Sequence, residues 1–522
     1  MNTSATGNEE FDIVIIGAGI SGIGAARYVT KAFPTKRVVV LESRDEIGGT
    51  WDLFRYPGIR SDSDLHTFGY EFKPWRNRAA IADAPLIRDY LRETVDENGI
   101  DRLIRFRHRA ISAEWSTDDA TWTLHVEIRD GDTVTHQQIT TNWVFAATGY
   151  YRYDEGFTPH FDGREDFTGD IIHPQHWPEG YDYAGKHVVV VGSGATAITL
   201  VPSMASGPGA AEHVTMLQRT PTYVMSLPRV DALALTLTKI FGERRGYALT
   251  RFKNIWLDRG VVKGMRTFPR AGRALIRRVN KRLLPPGFDV DTHFNPPYEP
   301  WDQRLCLAPD GDFFASISRG DASVVTDKIV RFTANGILLE SGRELPADVI
   351  VTATGLNMQL FGGMELSVDG TRVDLAAAIA YRGMLLSGVP NWAIAVGYTT
   401  SSWTLKISLM CRYFCQLIAH MDTHGYDSAV AVAEPGMPTR PVLDLSAGYV
   451  SRAQGTIPRQ GTELPWRMGL SYPEDAKLLR RALFDENLHF GARSDERSRA
   501  VLGERGVEAT EFASATVESG HA

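Results

Sequence analysis

Two stretches decide the reading of this chain: FDIVIIGAGISG (Phe11–Gly22) and VVVVGSGATA (Val188–Ala197). Each is an apolar run that suits a strand, then a glycine turn, then a segment with the character of a helix start. That order is the context a dinucleotide fingerprint requires. Gly17, Gly19 and Gly22 in the first, and Gly192 and Gly194 with the small Ala197 in the second, permit a tight turn. They also let a pyrophosphate approach the backbone at a helix N-terminus, with Ser21, Ser193, Ala195 and Thr196 beside it. Two such turns imply two bound nucleotides and electron transfer between them.

Working outward, the first unit reads as strand Phe11–Ile16, a helix over about 22–32 and strand Val38–Leu41 ending at Glu42. A carboxylate in that place accepts hydrogen bonds from an adenosine ribose and repels a 2′-phosphate, so the site suits FAD or NAD. In the second unit, strand His213–Leu217 ends at Gln218, Arg219 and Thr220. A guanidinium and a hydroxyl there suit the 2′-phosphate of NADPH.

The strings FAATG (Phe145–Gly149) and VTATG (Val351–Gly355) look like duplicates and mark crossings between the units. The predicted fold is therefore α/β with two Rossmann-like dinucleotide-binding domains. Residues 1–150 form the first part of the FAD domain and 151–348 the NADP domain, which carries a helical insertion at about 228–290. Residues 349–522 return to the FAD domain and end in a loose charged tail after about 495. Between Lys239 and Arg282 stand fourteen Lys or Arg against Glu243 and Asp258. The favoured reading is a solvated face whose apolar positions Ile240, Phe252, Trp256 and Leu275 pack in a core; the other is attraction to an anionic cofactor or a membrane surface.

Composition excludes several classes. The 522 residues are 43% hydrophobic and 23% charged with a net charge of -7, ordinary globular material with no global call for nucleic acid. Three cysteines, Cys306, Cys411 and Cys415, form no C-x-x-C pair, which argues against a disulfide scaffold or a dithiol centre, and no metal-ligand spacing occurs. The polar, acidic start lacks a secretory signal's pattern and no apolar run reaches the length of a membrane span, so a cytoplasmic protein is expected, with peripheral membrane association left open.

Two longer strings carry a family resemblance. FTGDIIHPQHWP (Phe167–Pro178) fits F-x-G-x-x-x-H-x-x-x-W-[PD] at Phe167, Gly169, His173, Trp177 and Pro178, and GGTWDLFRYPGIRSD (Gly48–Asp62) fits G-G-x-W-x-x-x-x-[FY]-P-G-x-x-x-D. In these features the chain resembles type I Baeyer–Villiger monooxygenases, and in the wording around Gly48–Asp62 the subgroup of the ethionamide-activating monooxygenase. The resemblance implies FAD and NADPH as cofactors and molecular oxygen with a small hydrophobic ketone or sulfide as reactants. The reaction implied makes esters or lactones through a C4a-peroxyflavin. It further implies Arg304 as the catalytic cation with Asp62 as its carboxylate partner. Gly49, Thr50, Trp51, Asp62 and Ile111 fall at FAD contacts, and Arg60, Ser61, Gln303 and Arg304 at NADP contacts. Several relatives have lysine where Gln303 stands, so the choice of NADPH leans on Arg219 and Thr220. Two competitors remain: an N- or S-oxygenating flavin-containing monooxygenase, and a two-nucleotide redox sensor without turnover.

Overall fold

The computed structural model describes residues 9–303, 305–399, 401–443, 448–469, 471–480 and 484–492. Arg304 and the tail expected after about 495 lie outside the described residues. Two α/β units follow one another with a return. In the first, five strands run parallel in the order Ile104–Arg105, Val38–Leu41, Glu9–Ile16, Thr133–Ala146 and Trp392–Ile394. Val14 sits opposite Val39 on one side and Val144 on the other. The strand Thr133–Ala146 also continues antiparallel into Thr121–Asp130 and His108–Ser116, a meander attached to the parallel core.

Parallel strands are covered on both faces, which is why the runs are apolar without alternation. Ile13 and Ile15 point to the face covered by the helices Ile20–Ala32 and Trp403–His424, where Phe414 and Leu417 meet them. Val14 and Ile16 point to the other face, filled by Trp115, Trp122 and Trp392. Full burial of one such aliphatic side chain stabilises the fold by about 1.5–3 kcal/mol.

The second unit is a five-stranded parallel sheet in the order Ala322–Thr326, His213–Gln218, His187–Val191, Val349–Thr352 and Asp170–Ile172. Val349–Thr352 pairs with His187–Val191, Ile350 lying opposite Val189. The strand Val349–Thr352, just past the expected boundary at 348/349, thus belongs to the second sheet. The apolar run before the second ATG string completes the second sheet, and the chain returns only after Gly355.

The two ATG strings are equivalent in space. Gly17 has φ +103°, and a Cβ added to it would lie 2.7 Å from the carbonyl oxygen of Ala147; Gly192 has φ +137°, and its Cβ would lie 2.3 Å from that of Ala353. Each glycine turn therefore rests against the end of its neighbouring parallel strand, a contact only glycine allows. The crossings themselves pair: Tyr151–Gly156, leaving the first unit, runs antiparallel to Leu356–Met358, returning to it.

The insertion is helical as expected, with Ala232–Thr267 and Pro269–Leu283 as its main elements. Gly242, at φ +76°, breaks the first into two arms. The core placement expected for four of its residues is overturned. Ile240 is 66% exposed, Phe252 64%, Trp256 48% and Leu275 57%. The inner face is occupied instead by Tyr247, Arg251 and Ile255, so the periodic apolar positions read from sequence belong to the opposite side. No helix among the described residues is long and apolar enough to cross a membrane.

Close to the first turn, the buried carboxylate of Asp52 gathers three cations, Arg44 at 2.6 Å, Arg55 at 2.9 Å and Arg88 at 3.2 Å. Removing the charge strands three guanidiniums that are only partly in water. Asp52→Asn is expected to lower stability by about 2 kcal/mol, read as an earlier midpoint of urea unfolding. An unmoved midpoint would mean that the arginines are satisfied by solvent.

Candidate active site

The first turn is pinned at both ends. Gly17 N–H donates to Leu41 O at 2.7 Å, and Ala18 N–H donates to Glu42 Oε2 at 2.7 Å. Glu42 Oε1 also accepts from Arg44 N–H at 3.0 Å. Burial pushes the Glu42 carboxyl upward, and these backbone donors oppose that shift. Gly48 N–H donates to Ala18 O, and Gly49 comes against Gly19, so the string Gly48–Asp62 begins in contact with the first turn. Thr50 starts the short helix Thr50–Leu53, and Trp51 packs edge-on against Phe68 at 5.6 Å. The helix that follows the turn begins at Ile20 with no side-chain cap on Gly19, which leaves its first-turn donors to a phosphate. Gly17, Gly19, Ser21, Gly22, Glu42, Gly49, Thr50 and Trp51 are thus brought together. Ile111 is exposed at a bulge of the strand that starts beside Glu42, where His108 N–H donates to Glu42 O.

The second turn repeats the arrangement. Gly192 N–H donates to Leu217 O at 2.8 Å and Ser193 Oγ–H to Thr220 O at 3.1 Å. The helix Ala195–Met204 starts at an uncapped Gly194, whose would-be Cβ meets open space, and Ala197 is fully buried against the strand. Arg219 is exposed beside Thr220 and makes no ion pair with a described residue. A cradle with bare helix donors and a free guanidinium fits a phosphorylated nucleotide.

Between the turns lies the end of the Gly48–Asp62 string. Tyr56, whose phenol burial keeps protonated, lies beside Thr196 of the second turn and feels the charge of Asp62. Arg60, expected at NADP, is almost buried and paired with Asp312 of the second unit, its second nitrogen 3.3 Å from Oδ1. Ser61 N–H donates to Ala82 O, and its hydroxyl donates to Ser63 O at 2.6 Å. Asp62 is half-buried and engaged. Gln303 is half-buried next to a backbone bridge with Pro300.

The fingerprint Phe167–Pro178 occupies the crossing and not a turn. Phe167 is buried edge-on to Phe332, and Gly169 lies so near the backbone that a Cβ would be 2.3 Å from Asp348 O. His173 Nδ1 accepts from Gln175 N–H, which leaves Nε2–H to donate to Gly355 O at 3.2 Å, the carbonyl at the end of the second ATG string. Burial lowers the His173 pKa, in keeping with this neutral form. Gln175 donates to the carbonyls of Arg152 and Tyr153, and Trp177 stands edge-on to Tyr181 and Tyr183. His173 and Gln175 thereby join the return and the outgoing strand to the segment that enters the second sheet.

Several residues at the site carried no sequence assignment. Trp403 Nε1–H donates to Ser21 Oγ at 2.8 Å, bringing the start of helix Trp403–His424 to the first turn. Behind it Tyr398 O–H donates to Asp475 Oδ2 at 2.6 Å, and Lys406 Nζ, fully buried, lies 3.6 Å from the same oxygen with no hydrogen bond among the described residues. Burial draws the Lys406 pKa down and the adjacent carboxylate resists it. The available signal was a lone lysine set among Leu405, Ile407 and Leu409. Asp258 reaches Ser401 from the insertion helix, and burial together with Asp64 pushes its carboxyl up to about 6.

The fold and two matched turns define a two-nucleotide flavoenzyme. Family models match over residues 15–80, an NAD(P)-binding Rossmann-like domain, and 79–282, flavin-binding monooxygenase-like. The FAD-containing monooxygenase EthA of Mycobacterium tuberculosis is 50% identical over 488 residues, covering 93% of this chain and 98% of that protein. The probable FAD-binding monooxygenase AlmA of Acinetobacter baylyi is 44% identical over 490 residues, covering 93% and 97%. In fold the chain is similar to an oxidized steroid monooxygenase bound to NADP, with TM-score 0.72 and 20% identity, covering 92% of this chain and all of that one. It is similar also to an open structure of cyclohexanone monooxygenase, with TM-score 0.71 and 20% identity, covering 93% of this chain and all of that one. The chain belongs to the FAD-containing monooxygenases, and its cofactors are FAD and NADP.

Two outcomes follow from the geometry. Glu42→Ala removes the acceptor that pins Ala18 in the first turn, so FAD affinity should fall about ten- to hundredfold, measured by titration of the apoprotein with FAD. Undiminished affinity would remove Glu42 from that site. For Asp258 the folded pKa is raised, so its contribution to stability is present below the unfolded value near 4 and is lost as pH rises through about 6. Asp258→Asn should stabilise the protein by about 1–3 kcal/mol at about pH 8 and hardly at all below about pH 4, seen in thermal midpoints across pH.

Proposed function

We propose that this monooxygenase converts ketones to esters or lactones with NADPH and molecular oxygen, and oxidises sulfides as a second activity. One oxygen atom enters beside the carbonyl and the other leaves as water, with NADPH and a proton consumed. What carries the reading is the fingerprint Phe167–Pro178, whose His173 and Gln175 tie together the crossing between two nucleotide turns of opposite preference. Bound flavin, reduced by NADPH, supplies the activation of oxygen.

The chain's own residues do the rest. The turn Gly17–Gly22 and the bare start of its helix hold the FAD pyrophosphate, Glu42 its ribose, and Gly49, Thr50 and Trp51 line the ring system, with Ile111 at the adenine end. The turn Gly192–Ala197 holds the NADPH pyrophosphate through Ser193, Gly194, Ala195 and Thr196. Arg219 and Thr220 bind the 2′-phosphate, while Arg60, Ser61 and Gln303 border the nucleotide. Arg304 remains a cation at working pH and stabilises the negative charge that develops on the substrate carbonyl oxygen as it is attacked; Asp62 orients its guanidinium.

Purified holoenzyme is incubated with NADPH, oxygen and a panel of linear, cyclic and aryl ketones and aryl sulfides, and products are identified by mass spectrometry. Esters or lactones support the reading, whereas sulfoxides or N-oxides alone favour an N- or S-oxygenating enzyme. Arg304→Ala should retain NADPH oxidation with release of hydrogen peroxide while ester formation drops about hundredfold or more. Unchanged ester formation would take Arg304 out of the reaction.

A further inference from the structure

The insertion helices present a surface that neither nucleotide site uses. Among the described residues, ten of the fifteen exposed large apolar side chains lie between 230 and 275, on the insertion helices and the stretch that leads into them. Past Gly242, Leu249, Phe252 and Trp256 follow at helical spacing on one face, with Arg245, Arg259 and Lys263 on the same side. Phe252 and Trp256 touch at 6.1 Å, and Arg259 lies over the Trp256 ring. Phe268, 67% exposed, stands at the joint with the next helix, which carries the exposed Leu275 with Arg278 and Arg282 following at helical spacing.

The opposite face explains why this one stays outward. Arg251 Nη1 donates to the carbonyls of His66, Thr67 and Gly69, Tyr247 O–H donates to Tyr70 O, and Ile255 packs with Tyr398 and Leu405. The helix is bolted to the first unit and cannot roll to hide its apolar row. Meanwhile Arg245, Lys263, Arg270, Arg278 and Arg282 make no ion pair with a described residue.

We propose that this face docks the enzyme on an anionic lipid bilayer, lying in the interface with its aromatic and aliphatic side chains among the acyl chains and its arginines and lysines at the headgroups. Charge complementarity selects the partner. In a chain of net charge -7, residues 239–282 hold fourteen cations against two acids; Arg251 faces inward and Lys253, Arg273 and Arg277 are ion-paired, but Arg245, Arg259, Lys263, Arg278 and Arg282 stand with the apolar side chains, so an anionic membrane attracts this face and repels the remainder. A symmetric contact between two copies would oppose these same cations, and a nucleic acid offers no apolar layer for a row of Leu, Phe and Trp. Interfacial helices have this combination of Trp and Phe with Lys and Arg and do not need the length of a span. This inference does not depend on which substrate is oxidised.

The test is cosedimentation of full-length holoenzyme with vesicles of phosphatidylcholine alone and of phosphatidylcholine with phosphatidylglycerol, at low and high salt. Binding is expected to the anionic vesicles and to weaken with salt. The double variant Phe252→Ser with Trp256→Ser should lose affinity by about tenfold or more, and so should Arg245→Gln with Lys263→Gln. The variants' thermal midpoints and NADPH oxidation in vesicle-free buffer should match the parent, which separates lost docking from lost folding. The proposal is overturned if the parent binds neither vesicle, or if the apolar variant binds as the parent does. It is equally overturned if vesicles are ignored and the apolar substitutions instead turn a dimer into a monomer in analytical ultracentrifugation.

Discussion

A missing side chain at two positions organises this molecule. At Gly17 and Gly192 the backbone turns so sharply, and so close to the carbonyls of Ala147 and Ala353, that no residue with a Cβ could stand there without moving the adjoining strand. Each turn is consequently held at fixed depth at the end of its own parallel sheet, and the helix behind it aims its unpaired amides at the same place. The geometry occurs twice because the ATG strings occur twice. Everything else at the site is placed relative to these two fixed points.

The distance between the points is governed by the crossing segments. The strand leaving the first unit and the one returning to it pair with each other, and His173 ties the carbonyl at the end of the return to the stretch that enters the second sheet. Arg60 with Asp312, and Tyr56 with Thr196, reach across from the Gly48–Asp62 string. Both family strings are therefore joints between the units. The histidine of the fingerprint accordingly contacts Gly355 O and Gln175 N–H and neither glycine turn.

Much of this was legible in the sequence because local chemistry dictated it. A glycine turn after an apolar run, an acid or an arginine at the end of the next strand, and a repeated ATG string each carry their meaning within a few residues. What was illegible depended on long-range packing. Val349–Thr352 reads as the start of the return, yet its pairing with Val188–Val191 is settled by a partner over 150 residues away. The insertion helix has apolar residues on two sides, and only the contacts of Tyr247, Arg251 and Ile255 decide which side is inner. Trp403 comes to the first turn from far down the chain, and nothing near it in sequence announces Ser21 as its acceptor.

The cluster of Tyr398, Asp475 and Lys406 has an evolutionary consequence. Each is cut off from water, and a buried charge left alone is far more costly than a pair of apolar replacements. A lineage can keep all of them or exchange them together for hydrocarbon, but single intermediates are penalised. Divergence at the base of the helix that meets the first turn should therefore proceed in jumps, with positions 398, 406 and 475 inherited as a block.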